Sequence, residues 1–304
     1  MRYRLEYALV MLIAAAVRLM PLTIVRACGR AFGRLVSHID RSHRRIAIDN
    51  LARAFPSRSP RECRAICGAM FAHFGSLLFE LIKFSTLGRE DMLARVDIEG
   101  DEHLRQAYQR GRGVFILTGH FGYWEIHGLV TALHMRPIGV LARPLDNPYL
   151  HAMLERIRTR TGNTVIYRQG ALRKMLRELG QNEGVALMID QHLHSDTVSV
   201  DFFGRRAATT SALAALAIRT GAAVIPAFSL PLPNGRYRLV YERPVPLPPE
   251  DAPDAVAELT QRCTDVLEMY VRRDPHLWLW MHRRWRDGVR PHLAPDEGAA
   301  ENGV

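Results

Sequence analysis

The chain has 304 residues, of which 48% are hydrophobic and 24% charged, a balance that excludes a disordered polymer and allows one large domain or two small ones. Lys and Arg number 41 against 31 Asp and Glu, for a net charge of +10. Such a surplus suits an anionic partner (nucleic acid, anionic lipid or an acidic carrier), and composition alone does not choose among them. The N-terminus reads MRYRLEYALVMLIAAAVRLMPL, and its uncharged run from Tyr7 to Val17 is 11 residues long. A spanning helix needs roughly 20 apolar residues. With Glu6 and Arg18 accepted at the edges, residues 5–25 reach across a bilayer or lie in its interface. A signal peptide shares the charged start and short apolar core, but no cleavage motif leads into a disulfide-rich secreted chain. The expectation is an uncleaved membrane anchor or membrane-dipping helix over residues 1–25, with a buried core helix as the alternative.

Residues 25–95 read as helices in RACGRAFGRLVSH, SHRRIAIDNLARAFP and SPRECRAICGAMFAHFGSLLFELIKF, the last two separated by Pro56 and Pro60. Ser59 is placed to cap the third. Cys63 and Cys67 share one face of that helix, and Cys28 and Cys263 form no second close pair. A four-ligand zinc site is therefore not completed, and the cysteines read as reduced packing residues. From residue 96 the pattern becomes an alternation of β-rich runs (VDIEG, GVFILTG, RPIGVLA, NTVIY, GVALMID, AAVIPAFSL and RYRLVYE) with helical stretches at 123–133, 147–161, 171–179 and 209–219. That alternation predicts an α/β domain with a mostly parallel central sheet flanked by helices, spanning residues 26–290. Pro244 to Pro253 is a connector, Asp254 to Arg273 a final helix, and 291–304 a polar, disordered tail.

The stretch TGHFGYWEIHG at 118–128 directly follows VFIL. Ligands of open α/β sheets sit off the carboxyl ends of strands, so His120 stands where chemistry is placed. Gly119 and Gly122 permit a sharp turn and close approach of a substrate, and their backbone N–H groups are candidate oxyanion donors. Glu125 is expected to reach back from the next helix and hold the imidazole, making His120 a general base. His127 and His134 read as structural. No serine or cysteine stands beside His120 in a G-x-S-x-G elbow. The base would act on a substrate hydroxyl, with no covalent enzyme intermediate. Asp190, at the end of VALMI, is a candidate to orient an active-site group. With His192, His194 and Asp196 it also admits a metal reading, and thus a metal-dependent hydrolase as a distant alternative. WLWMHRRW reads as tryptophans and arginines at a membrane interface, with tryptophans packed in the core as the alternative.

Six blocks then align: RRIAIDNLARAFP at 44–56, HFGYWE at 120–125, ARPLDNPYLHAMLERIRTRTGN at 142–163, MIDQH at 188–192, VDFFGRRAATTSALAALAIRTGAAVIPAF at 200–228 and WLWMHRRWR at 278–286. Their order and spacing resemble the bacterial lipid A late acyltransferases, the lauroyl/myristoyl acyltransferase family of the lysophospholipid acyltransferase-like superfamily, over about residues 1–287. The resemblance implies a glycerolipid acyltransferase-like fold. It implies an inner-membrane enzyme facing the cytoplasm. The reaction would move a fatty acyl group from an acyl carrier protein or coenzyme A thioester to a hydroxyl of a lipid A precursor, without metal or cofactor. His120 then corresponds to the base and Glu125 to its partner. Arg158 corresponds to an essential arginine, with Arg156 or Arg160 as one-turn alternatives, and Arg143 and Asp190 to residues lining the site. The segment DQHLHSD departs from the family's glycine or proline spacing, which leaves another glycolipid, of the phosphatidylinositol mannoside type, or a lysophospholipid as the alternative acceptor. No nucleic-acid docking motif accompanies the positive charge.

Overall fold

The computed structural model describes residues 1–191, 196–249 and 251–285. The chain begins with four helices, α1 (Arg2–Leu19), α2 (Leu22–Ile39), α3 (Arg41–Ala54) and α4 (Pro60–Phe84). Pro21, with an extended backbone at the start of α2, breaks the expected continuous 5–25 segment into two helices. Asp40 caps α3 by accepting from the His43 amide. Ser59 and Glu62 form a capping box on α4, with Pro60 at its first position, so the predicted cap is present.

Helices α2 and α4 approach backbone to backbone through Gly29, Gly33 and Gly75. A Cβ on Gly33 would stand 1.9 Å from the Phe71 carbonyl oxygen, and one on Gly75 would stand 2.3 Å from that of Gly29. Among the described residues α4 is the one helix long and apolar enough to cross a membrane, and 61% of its apolar window is buried inside the protein. Its apolarity is that of a core helix. α1 behaves differently, with Leu5, Leu9, Leu12 and Leu19 all more than half exposed.

After the short α5 (Arg89–Leu93), the chain enters the sheet through β1 (Val96–Glu99), α6 (Asp101–Gln109), β2 (Val114–Thr118), α7 (Trp124–His134), β3 (Ile138–Ala142), α8 (Pro148–Thr159), β4 (Thr164–Tyr167), α9 (Ala171–Gly180) and β5 (Gly184–Met188). A hairpin follows, β6 (Thr197–Asp201) and β7 (Arg206–Thr210), and then α10 (Ala212–Thr220), β8 (Ala223–Pro231), β9 (Tyr237–Tyr241) and α11 (Ala255–Arg273). Seven strands form one sheet in the order β1-β9-β8-β2-β5-β3-β4, parallel except where β8 meets β9. Every residue of β2 is buried, as a central strand covered on both faces requires. The predicted α/β class and all seven sheet strands are present.

Three sequence expectations need correction. Thr209 and Thr210 belong to β7, so the helix expected from Thr209 begins only at Ala212. The β6–β7 hairpin was not anticipated, because its turn carries Phe202 and Phe203 where polar residues usually mark a reversal. Finally, the WLWMHRRW block is core: Trp278 and Trp280 are fully buried, Trp285 and Arg284 nearly so. The unforeseen hairpin is the cause, since Phe202 and Phe203 pack edge-on against Trp278 and Trp280. Arg284 bonds the Ala208 carbonyl and Thr209 of the same hairpin. The expected tail at 291–304 lies outside the described residues.

The glycine contact sets a measurable demand. Gly33→Ala inserts a methyl against the backbone of α4, where no rotamer relieves it, and overpacking of this kind costs about 1–3 kcal/mol. We expect Tm to fall by several degrees in thermal unfolding. A Tm unchanged within about 1 °C would remove the claim that the two backbones touch there.

Candidate active site

Strands β2 and β5 are parallel neighbours in register, Thr118 beside Met188. Each chain continues two residues past that pair, which places His120 beside Asp190. The fully buried Asp190 carboxylate takes the His120 imidazole on Oδ1, from Nδ1 at 2.9 Å. Its Oδ2 accepts from the His120 backbone N–H at 2.6 Å and from the Trp278 indole N–H at 2.8 Å. Gly119 permits this closeness, since a Cβ there would stand 3.1 Å from Asp190 Oδ2 and 2.9 Å from Leu267.

A carboxylate accepts only, so Nδ1 carries the proton and Nε2 carries the lone pair. The Gln191 side-chain amide lies 3.4 Å from that Nε2. Burial opposes charge on Asp190, but the imidazole and its hydrogen bonds outweigh burial and hold the carboxyl below the usual range. Burial likewise opposes the imidazolium of His120. The Asp190 charge and hydrogen bond, with a lesser contribution from Glu125, outweigh it and raise the His120 pKa above 6.5.

Glu125 does not fill the role expected of it. In the first turn of α7 it faces α8, and both its oxygens accept from the Arg158 guanidinium, one of them from Nε at 2.9 Å. The imidazole partner is Asp190 instead. Of the three candidate arginines, Arg158 is the one joined to Glu125. Arg156 bonds the Ala152 carbonyl in its own helix, and Arg160 bonds the carbonyls of Ser85 and Leu87. Arg143 is exposed on the loop after β3 with Asp146 3.9 Å away, and is not gathered with His120. His192 and His194 lie outside the described residues.

Four successive amides of the glycine-rich turn, 120–123, are committed internally. The amides of Phe121, Gly122 and Tyr123 donate to the carbonyls of Gly119, Leu277 and Ser229 at 2.7, 2.9 and 2.9 Å. With the His120 amide on Asp190, these four are engaged within the fold, the expected Gly122 donor among them. Gly122 has φ +60, and a Cβ would stand 1.8 Å from the Ser229 oxygen, so glycine serves the turn itself. Beneath the turn, buried Glu80 of α4 accepts from Tyr123, Ser76, Tyr237 and Arg26.

Two contributors were not read as site residues. His282 packs edge-on against His120 with ring centres 4.9 Å apart, and burial together with the His120 charge pushes its pKa down to about 4. Trp278 anchors Asp190 as described. Asn50, within the 44–56 block, holds this segment by donating to the carbonyls of Trp280 and His282, both at 2.8 Å. Spacing to a histidine could not reveal residues more than 150 positions away.

A narrow slot adjoins the Glu125–Arg158 pair between α7 and the sheet, walled by Ile116, Ile138, Val140 and Ala186. About 40 Å³ of it is open to the centre of a water molecule, within about 550 Å³ of atom-free space that includes its mouth. Thr118 and His127 also line it, and their Oγ1 and Nε2 are buried without a hydrogen-bond partner. Burial pushes the His127 pKa down to about 3, so this imidazole is neutral.

Comparison with known proteins gives a family match over residues 1–287 to the model described as bacterial lipid A biosynthesis acyltransferase. The chain is 27% identical over 280 residues to the lipid A biosynthesis lauroyltransferase of Escherichia coli strain K12, covering 91% of this chain and 89% of that one. The lipid A biosynthesis myristoyltransferase of the same strain is 26% identical over 253 residues, covering 82% and 77%. Its palmitoleoyltransferase is 26% identical over 270 residues, covering 88% and 86%.

The His120–Asp190 pair fixes a pH dependence. His120 accepts a proton only when neutral, so a rate that depends on it rises with pH through a pKa above the ordinary 6.5. Asp190→Asn removes the charge that raises that pKa. The limb of the kcat/KM–pH profile should move to lower pH, with kcat reduced on the order of 10²-fold or more as the tautomer is lost. A profile whose limb does not move in Asp190→Asn would disconnect Asp190 from the titrating group.

Proposed function

The chain belongs to the bacterial lipid A biosynthesis acyltransferase family, and from that premise we propose that it transfers a fatty acyl group from an acyl carrier protein or coenzyme A thioester to a hydroxyl of a lipid A precursor, with His120 as general base. The observation that carries this reading is the His120 ring itself. Nδ1 is pinned by buried Asp190, and Nε2 bears the lone pair at the carboxyl end of a central strand. The acceptor hydroxyl loses its proton to Nε2 as its oxygen attacks the thioester carbonyl. The tetrahedral intermediate expels the thiolate, which takes the proton back from the imidazolium. In this reading the acyl group passes directly, with no covalent enzyme intermediate, which the Gln191 amide, a non-nucleophile and the described hydrogen-bond neighbour of Nε2, supports. A positioned base of this kind is worth roughly 10²–10⁴-fold.

Arg158 supplies positive charge toward the developing oxyanion, its planar guanidinium oriented by the paired bonds to Glu125. The slot beside the pair holds the acyl chain. An open basic groove lined by His38, Arg41, Arg44 and Arg45 suits the acidic carrier or a phosphorylated headgroup. The exposed leucines of α1 support binding to a membrane surface, which this reading takes to be the cytoplasmic face of the inner membrane.

The test uses membranes from cells expressing the wild type, with acyl carrier protein thioesters of several chain lengths and a tetraacylated lipid A precursor. Lysophosphatidic acid serves as a parallel acceptor, and products are followed by mass. We expect acylation of the lipid A precursor, reduced at least about 10²-fold in His120→Ala. Acylation of the lysolipid alone would sink the lipid A acceptor, and wild-type turnover retained in His120→Ala would sink the base. A cycle of Glu125→Gln, Arg158→Met and the double variant reads the pair: if the two act as one unit, each single loss equals the double loss. Additive losses would mean that they act separately.

A further inference from the structure

Apart from Glu125 and Arg158, which bond each other, and Asn163, whose side chain is taken up by the Ile138 amide and the Gly128 carbonyl, the slot is lined by hydrocarbon except at two points. His127 Nε2 and Thr118 Oγ1 are both buried, both line the slot, and neither has a hydrogen-bond partner. Buried polar atoms are normally paired, and each one left unpaired is destabilising. A plain alkyl chain drawn into this space would displace any water and leave both stranded. A wall built solely for hydrocarbon has no use for them.

Their positions say where along a chain a polar group would lie. Thr118 ends β2, two residues before His120, at about 3.3 Å of strand per residue. His127 lies in the first turn of α7, three residues after Trp124, whose ring centre is 5.3 Å from that of His120. Both atoms therefore flank the reaction end of the slot, not its depth. Their chemistry says what the group is. The Nε2 of a neutral imidazole is a donor in one tautomer and an acceptor in the other, and a threonine hydroxyl both donates and accepts. That pair complements an alcohol, which also donates and accepts, and offers no charge to hold a carboxylate or phosphate.

We propose that this enzyme selects an acyl donor carrying a hydroxyl within the first few carbons of the thioester carbonyl, bound by His127 Nε2 and Thr118 Oγ1. The inference rests on the acyl-transfer reading above and names its donor class. His127 and Thr118 are specificity-determining residues of the slot.

The experiment measures kcat/KM for the full-length enzyme with lauroyl, 2-hydroxylauroyl and 3-hydroxylauroyl thioesters of acyl carrier protein, on one acceptor. The expected result is a preference of at least about 10-fold for one of the hydroxylated donors, since a site that pairs a substrate hydroxyl discriminates against the analogue lacking it. The ratio of hydroxylated to plain donor should fall to about one in Thr118→Val combined with His127→Leu, and survive in His127→Gln, which keeps a hydrogen-bonding group. His127→Leu should melt no lower than wild type, because it removes an unpaired buried polar atom; that melt separates a lost preference from a lost fold. A wild-type ratio of one or below would overturn the proposal and assign the two atoms to buried water, and a preference unmoved by the paired substitution would overturn it too. No transfer from any of the three donors would instead overturn the acyl-transfer reading itself, an outcome distinct from unselective transfer.

Discussion

The site depends on one buried carboxylate. Asp190 is fully inaccessible, yet it takes bonds from the His120 ring, the His120 backbone and the Trp278 indole. Those bonds join the end of β5, the end of β2 and a C-terminal segment more than 80 residues further on. A buried anion is stable only when its acceptors are filled. The chemistry and the closure of the fold therefore share an atom. The turn cannot relax away from β5 without baring a charge, and the C-terminal segment cannot detach without removing a donor.

This arrangement explains what was legible in the sequence. All seven sheet strands stood out as β-rich runs between helical stretches, because a parallel sheet covered on both faces demands near-continuous apolar strands. His120 and Asp190 each stood out as polar residues ending such a run. Their pairing did not, because it follows from β2 and β5 being neighbours, and the strand order β8-β2-β5-β3 is a property of the assembled sheet. Glu125 looked like the partner because it is near in sequence. Helix geometry turns it toward α8 instead, where Arg158 waits from 33 residues away. Trp278 and Trp280 misled for a related reason: tryptophan suits both a membrane interface and a core. The choice was made by the β6–β7 hairpin, whose aromatic turn concealed it.

The two ion pairs near the site divide the labour. His120–Asp190 is closed to water on the carboxylate side and fixes which ring nitrogen carries the lone pair. Glu125–Arg158 keeps 11% and 14% side-chain exposure, enough to face a substrate that enters beside it. Beside the second pair lies the slot, whose apolar walls come in part from β2 and β5, the strands that lead into His120 and Asp190. One sheet thus positions both the His120–Asp190 pair and the walls of the slot.

The Glu80 cluster bears on the N-terminal helices. Arg26 of α2 reaches Glu80 at 2.7 Å, and Glu80 in turn holds Tyr123 at the end of the His120 turn. α1 is tied on as well, through Asn147 to the Tyr3 carbonyl and Lys83 to the Arg18 carbonyl. The catalytic fold is therefore not a portable cassette with a removable leader. Trimming the first two helices to gain solubility would strip the counter-charge from a carboxylate in the core and loosen the reactive turn above it. The leucine-bearing helix is thus bonded to the same body that carries the site. Any surface that those leucines meet is therefore met in an orientation linked to the fold of the site.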